Sequence, residues 1–137
     1  MTQEDKDLLL KDLCARLPYG VKILVQSWDE REMEYIDRVD VLYSVNGDEY
    51  IKSANEDYDF SPEDIKPYLF PISSMTEEQK EEFNTRSLEL QLKVIDDEIM
   101  YEKATEFEVD FYNKHHLDWR GLIPKDLALD ATGKNIY

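Results

Sequence analysis

Two histidines and an aspartate stand within four residues of one another in the last quarter of the chain. His115 and His116 are the two histidines of the sequence, and Asp118 follows two residues later. Imidazole and carboxylate groups can act as general acids or bases, and they can also bind a metal ion. These three residues are therefore the candidates for the active site of a hydrolase-like or metal-dependent enzyme.

Their spacing argues against a metal centre. Adjacent residues of a helix point about 100° apart, so the two imidazoles converge only if the helix ends between them. A zinc site needs three or four converging ligands, and the chain has neither HExxH nor paired CxxC spacing. We predict no metal and no cofactor. We expect one histidine to pack at a helix C-terminus and the other to be exposed.

A second group of residues has the composition of a recognition site. Trp119 and Arg120 follow Asp118 directly, and Trp, Tyr and Arg dominate the energetic centres of protein interfaces. Together with Tyr68 they form the predicted protein-binding site. The alternative is structural, because the same residues can form an ion pair and an Arg–aromatic contact within the fold.

The charge balance restricts the possible partners. Lys and Arg number 16 against 32 Asp and Glu, so 137 residues carry a net charge of −16. Because phosphate binding requires clustered basic residues, we expect no conventional nucleic-acid binding, and anionic membranes are disfavoured likewise. A basic protein is the expected partner. A DNA-mimicking inhibitor, with carboxylates in place of phosphates, is a further hypothesis.

Length and composition predict one domain covering residues 1–137. No stretch approaches the ~20 consecutive apolar residues of a membrane span. The N-terminal residues do not resemble a secretory signal, and the single cysteine, Cys14, cannot form an internal disulfide. We therefore expect a cytoplasmic protein. Cys14 lies on the predicted apolar stripe of the first helix, so we expect a buried thiol rather than a nucleophile.

The hydrophobic pattern predicts an α+β fold. Thr2 and Asp5 form a capping box that opens the first helix, and Pro18 and Gly20 end it. We predict a three-stranded antiparallel meander over residues 21–53. A run rich in β-branched residues and a segment of alternating apolar and polar residues precede Asn46-Gly47. That dipeptide favours a two-residue type I′ turn. The turn would pair Val45 with Asp48, Tyr43 with Tyr50, and Leu42 with Ile51.

The rest of the chain predicts two or three helices packed on the meander. Residues 54–75 are predicted to be irregular, apart from one helical turn opened by Ser61-Pro62. A second capping box at Thr76 opens a helix to about residue 101, with a break near Asn84-Thr85 as an alternative. A strand is the alternative prediction for residues 86–101, because the leucines there also alternate with a period of two. The final helix is predicted over 103–116.

The segment after that helix is too apolar to be a free tail. Burial of each large apolar side chain stabilises a fold by about 1.5–3 kcal/mol. We therefore predict that this segment packs on the domain and that residues 132–137 are dispensable. The side chains concerned are Leu122, Ile123, Leu127 and Leu129.

Two segments resemble the paired signatures of an uncharacterised family of small acidic bacterial proteins. Residues 65–78 are similar to its KPYLxPxSSMTEE pattern, and Phe111–Leu129 contains its HHxDxRGLI pattern. The chain departs from the family at Phe70, where a basic residue is usual, and at Asp126, where a second glycine is usual. The family has no assigned activity, so the resemblance implies no reaction and no ligand.

The leading hypothesis is a non-enzymatic interaction protein, of an accessory or immunity type, which binds a protein partner through its acidic surface and the Tyr68, Trp119 and Arg120 region. The alternative is an enzyme that uses His115, His116 and Asp118. One arrangement distinguishes the two hypotheses, because catalysis requires these three side chains to face one pocket. The sequence leaves the oligomeric state open.

Overall fold

The structure is a computed structural model that describes the main chain of residues 1–94 and 99–137 and the side chains of residues 1–89 and 105–137. It is an α+β fold with one mixed five-stranded sheet in the order β3-β2-β1-β4-β5. Short 3₁₀ turns cover Leu17–Tyr19, Pro62–Asp64 and Ile72–Ser74. The strands are β1 Lys22–Asp29, β2 Glu34–Val45, β3 Ile51–Ser53, β4 Lys66–Leu69 and β5 Leu129–Asp130, and the helices are α1 Gln3–Arg16, α2 Glu77–Val94 and α3 Ile99–Lys114.

The first helix begins as its sequence predicts. The amide of Asp5 donates to Thr2 Oγ1 over 3.1 Å, and the Asp5 carboxylate accepts from the Thr2 amide over 3.4 Å, which forms the predicted capping box. Leu9 and Leu13 are fully buried against the sheet. The helix thereby closes one side of the hydrophobic core.

The prediction of a buried Cys14 is wrong, because this thiol is exposed. The buried face of α1 contains Leu9, Asp12, Leu13 and Arg16, which have the spacing of one helical stripe. Cys14 is five residues after Leu9, about 140° around the helix at ~100° per residue, and so points away from that stripe. The leucine pattern predicted a buried stripe that was rotated about one residue around the helix axis from the observed one, so it included Cys14 instead of Asp12 and Arg16.

The antiparallel meander is confirmed, but the predicted hairpin register is wrong. Strands β1 and β2 pair along all eight residues of β1, from Lys22 opposite Val41 to Asp29 opposite Glu34. The β2–β3 connection is longer than two residues: the Asn46 amide donates to the Tyr50 carbonyl over 3.0 Å. Gly47 still adopts a positive φ of 92°.

The observed register allows Ile51 to reach the core. Ile51 pairs with Val45, and an irregularity in β2 follows between Leu42 and Ser44. Ile51 also exchanges two main-chain hydrogen bonds with Phe60, of 3.1 and 2.8 Å. Both Ile51 and Phe60 are buried, so apolar burial outweighs the local preference for a two-residue turn.

The segment 54–75 is more regular than predicted, since it contains β4. This strand pairs antiparallel with β1 at Ile23 and Leu24 and parallel with β5 on its other side. The predicted helical turn at Pro62 is confirmed. Docking of the C-terminal segment is also confirmed, because Leu122 and Leu127 are buried. The three-stranded meander is therefore only part of a larger mixed sheet.

Residues 86–94 are helical, and α2 runs through Asn84-Thr85 without a break. The predicted continuation to residue 101 crosses residues 95–98, which lie outside the described residues. The last helix extends over Ile99–Lys114, instead of 103–116. Helices α2 and α3 pack mainly on each other, with Phe83 stacked on Phe107 at 5.8 Å, rather than covering the meander.

No helix in the described part of the chain is long and apolar enough to span a membrane.

The two faces of the sheet have different environments. Ile23, Val25 and Leu42 point to the inner face and are buried with α1 in the core. Alternate residues point to the outer face, where Tyr35 is 62% exposed and Tyr43 is 69% exposed. The outer face of β1 and β2 is therefore open to solvent and still rich in aromatic side chains.

Candidate functional site

Helix α3 ends in a left-handed turn at His116, whose φ is 58°. The amide of Leu117 donates to the Tyr112 carbonyl over 2.8 Å, and the amide of His116 donates to the Asn113 carbonyl over 3.2 Å. This is the Schellman arrangement, in which the left-handed position is usually glycine. The turn separates His115 from His116 and fixes the direction of each ring.

The two imidazoles have different neighbours. His115 lies against α2, with its ring 4.5 Å from Phe111 and its Nε2 atom 3.7 Å from Glu82. His116 stacks on Tyr137, with ring centroids 3.9 Å apart. Burial lowers the pKa of both histidines, and it lowers that of His116 to about 4 with the help of the nearby Arg16 charge. Both rings are therefore neutral at neutral pH.

Asp118 has a structural role of its own. Its carboxylate accepts hydrogen bonds from the amides of Leu122 at 2.8 Å and Ile123 at 2.9 Å. The structure therefore gives His115, His116 and Asp118 separate partners and does not bring them together around one substrate position. Among the described side chains, no group of three or more His, Cys, Asp or Glu could hold a metal ion.

Trp119 and Arg120 contact each other and connect the C-terminal segment to α1 and α3. The Arg120 guanidinium lies 4.1 Å from the centroid of the Trp119 ring. Trp119 Nε1 donates to Asn113 Oδ1 over 3.0 Å, and Arg120 Nε lies 3.5 Å from Asp12 Oδ1. Both side chains are half-buried.

Asp12 belongs to a buried ionic cluster that the sequence analysis missed. Arg16 Nε donates to Asp12 Oδ2 over 2.8 Å, and Arg16 Nη2 donates to the Leu117 carbonyl. Both side chains are fully buried. Burial raises the pKa of Asp12, and the Arg16 charge opposes that rise. The four-residue spacing of Asp12 and Arg16 indicates an ion pair but not its burial.

Tyr68 lies apart from Trp119 and Arg120 in its described contacts. It is 7% exposed on β4, and the Lys134 ammonium lies 6.0 Å from its ring centroid. Burial raises the pKa of Tyr68, and the charge of Asp37 adds to that effect. The structure therefore brings together two of the three predicted binding residues and places the third on the sheet.

The outer face of the sheet presents a group of exposed apolar side chains, which we call the outer patch: Trp28, Tyr35, Val39 and Tyr43. Trp28 and Tyr35 are cross-strand partners, with ring centroids 5.1 Å apart at an interplanar angle of 71°. Alternation along β2 in the sequence indicates this common face. The sequence does not show that the face stays open, because that depends on where the helices pack.

One acidic side chain lies within the outer patch. Asp37 lies between Tyr35 and Val39 on the same face, whereas Asp29 and Glu34, the next pair after Trp28 and Tyr35, alternate to the other face. The patch therefore combines aromatic surface with negative charge. This is a surface suited to a ligand that carries both apolar and cationic groups.

A cleft of about 520 Å³ adjoins the outer patch beside β1, and we call it the β1 cleft. Four carboxylates and one ammonium group line it, together with aromatic and aliphatic side chains. None of the residues predicted as catalytic or binding lines this cleft. Its charged and aromatic lining consists of Asp37, Asp59, Glu63, Asp64, Lys66, Tyr35, Tyr58 and Phe60.

Comparison with known proteins found no matching family model, no matching curated protein and no matching solved structure. The surfaces and contacts of this chain are therefore the evidence for its function. Of these, the outer patch and the β1 cleft have exposed groups that are free to meet a ligand. By contrast, Asp118, Trp119 and Arg120 direct polar groups to other residues of the fold.

Proposed function

We propose that this protein is a non-enzymatic interaction protein, of an accessory or immunity type, which binds a basic region of a partner protein through the outer patch. The supporting observation is the exposure of Trp28, Tyr35 and Tyr43 together on one open sheet face. Aromatic side chains supply much of the binding energy of protein interfaces, since they bury a large area with few rotatable bonds.

The distribution of charge supports a basic partner. The chain has a net charge of −16, and Asp37 lies on β2 between two residues of the patch, Tyr35 and Val39. Complementary charge accelerates association and discriminates against acidic partners. Trp119 and Arg120 are less suited to binding the partner, because those side chains already contact Asn113 and Asp12.

Site-specific photo-crosslinking tests this proposal. A benzophenone amino acid is placed at Tyr43 in the outer patch or, as a control, at Leu88, which is exposed on α2. We expect a discrete adduct with a basic protein from position 43 and not from position 88. The partner is then purified, and its dissociation constant should rise at least about tenfold with Tyr35→Ala, as for an interface hot spot.

Equal adducts at positions 43 and 88 would contradict the proposal. So would a dissociation constant that Tyr35→Ala and Leu88→Ala change equally. The matched substitution on α2 is needed because any loss of apolar surface lowers non-specific association.

We also propose that the chain belongs to the family of small acidic bacterial proteins with the two signatures, and that it is cytoplasmic. The support for membership is that the two signature segments lie side by side. The Phe70 amide donates to the His116 carbonyl, and the Asp118 amide donates to the Phe70 carbonyl, each over 2.8 Å. A signature of two distant segments is expected when those segments form one structural unit. Fractionation of the native cells tests the location.

A further inference from the structure

One edge of β1 is uncovered at Gln26. The Val21 carbonyl accepts from the Leu42 amide over 3.0 Å, which directs that residue's main chain toward β2. The Trp28 amide instead donates to Tyr58 Oη over 3.0 Å, on the opposite side. Because main-chain groups alternate in direction along an antiparallel strand, the N–H and C=O of Gln26 also point away from β2.

Strand β4 does not cover this position. It pairs with β1 at Ile23 and Leu24, and the chain before Lys66 turns away into the Pro62–Asp64 turn. Within the described residues, the main chain of Gln26 has no hydrogen-bond partner on that side. Gln26 and Tyr58 both line the β1 cleft of about 520 Å³, and the bond from the Trp28 amide to Tyr58 places this cleft on the side to which the main chain of Gln26 points. An uncovered strand edge is a template for pairing with another extended segment.

The charges of the cleft leave one carboxylate available. Lys66 Nζ is bound to Asp126 at 2.8 Å, so the basic residue of the lining is already neutralised. Asp59 and Glu63 have lysine partners at 3.3 and 2.8 Å, and Asp64 accepts hydrogen bonds from the Ser61 amide and hydroxyl at 3.0 and 2.8 Å. Asp37, directly opposite Gln26 on β2, has no ion-pair partner among the described residues. A cationic side chain beside Gln26 would meet this carboxylate.

We infer that the β1 cleft takes an extended segment of the partner, which pairs with the main chain of Gln26 and directs an arginine toward Asp37. The inference rests on the proposed function, because it names the part of the partner that is bound next to the outer patch. A guanidinium can bind a carboxylate through two hydrogen bonds and stack on an aromatic ring, and Tyr35 and Tyr58 both line the cleft. The segment is short, because Tyr58 already occupies the amide of Trp28.

Peptide titration followed by amide chemical shifts tests the inference without the natural partner. The probe is an acetylated and amidated pentapeptide, STRTS. Its controls are STQTS, which removes the charge, and STRTS with an N-methylated arginine, which removes a main-chain donor. We expect saturable shifts at Gln26 and Asp59, with binding at least about fivefold weaker for each control peptide, as for a lost charge-assisted or main-chain hydrogen bond.

Matched variants of the protein locate the charge. Asp37→Asn should weaken STRTS binding about fivefold or more, whereas Glu81→Gln, which removes the same charge from α2, should have little effect. Equal effects of the two variants, equal binding of STQTS, or equal binding of the N-methylated peptide would each overturn the inference. If crosslinking from Tyr43 succeeds while these results fail, the outer patch binds the partner but the cleft does not take its arginine.

Discussion

The ring of Tyr137 stacks on the imidazole of His116, with centroids 3.9 Å apart and planes within 13° of each other. The Tyr137 hydroxyl donates to the Tyr68 carbonyl over 2.7 Å and accepts from the Lys22 amide over 2.9 Å. One side chain thus connects the end of α3, strand β4 and the start of β1. The sequence predicts that residues 132–137 are dispensable, but these contacts indicate the opposite for Tyr137.

Replacement of Tyr137 should therefore destabilise the fold. We expect Tyr137→Ala to lower the free energy of unfolding by about 1–3 kcal/mol, from the lost ring contact and hydrogen bonds. Tyr137→Phe keeps the ring and should lose only about 0.5–1.5 kcal/mol. Urea unfolding measures both values. If Tyr137→Ala is as stable as the wild type, the stacking does not contribute to stability.

The fold should lose stability in acid partly through His116. Its pKa is about 4 in the folded chain, against ~6.5 when unfolded. Because the unfolded chain binds the proton more tightly, the neutral ring favours folding above pH ~6.5. That contribution is lost as the pH falls from ~6.5 through ~4, and it amounts to roughly 2–3 kcal/mol after allowance for partial exposure.

The variant His116→Asn isolates this effect, because asparagine tolerates a positive φ and does not titrate. Between pH 7 and pH 4, the variant should lose less stability than the wild type, although carboxylates titrate in both. A ring-proton titration by NMR should place the His116 midpoint near 4. Parallel stability profiles for the two proteins would show that His116 does not contribute to the acid sensitivity.

The buried pair of Asp12 and Arg16 should be costly to break. Arg16→Met removes a partner of a fully buried carboxylate, and we expect a loss of about 3–5 kcal/mol. The control is Arg86→Met, which breaks an exposed pair with Glu89 at 3.0 Å and should cost about 0–1 kcal/mol. The double variant Asp12→Leu, Arg16→Met should be more stable than Arg16→Met alone. The opposite order would show that Arg120, 3.5 Å from Asp12, compensates the carboxylate by itself in the single variant.

The β2–β3 connection should depend on Gly47, whose φ of 92° suits a residue without a Cβ atom. We expect Gly47→Val to cost more than ~1 kcal/mol, because a β-branched residue resists positive φ. Asp48→Ala in the same connection should change stability by less than ~0.5 kcal/mol, as for an exposed site. A melting temperature unaffected by Gly47→Val would show that the connection adopts another conformation at no cost.

Features encoded within a few residues were predictable. The capping box of Thr2 and Asp5, the helical turn at Pro62 and the pairing of β1 with β2 depend on neighbouring residues or on one alternating pattern. The apolar C-terminal segment was predicted to be buried because solvation of so many leucines is unfavourable. The α+β class follows from these local features.

The candidate site was harder to predict, because its residues come from distant parts of the chain. His115 and His116 are neighbours in sequence, but a left-handed turn directs one ring to α2 and the other to Tyr137. Trp119 and Arg120 have the composition of a binding site, and yet their partners are Asn113 and Asp12. Residue type alone does not show whether a polar side chain is free to bind a ligand or already contacts other residues of the same chain.

The sequence by itself determined the capped starts of α1 and α2, the meander, the acidic charge and the buried C-terminal segment, since each depends on local hydrogen bonding or on composition. The tertiary structure decided the β2–β3 register, the burial of Arg16 and the openness of the outer patch. Apolar burial of Ile51 outweighed the turn preference of Asn46-Gly47. The outer patch is open because α1 packs on the inner face, while α2 and α3 pack mainly on each other. Such choices depend on packing between elements distant in sequence, which no local pattern of residues encodes.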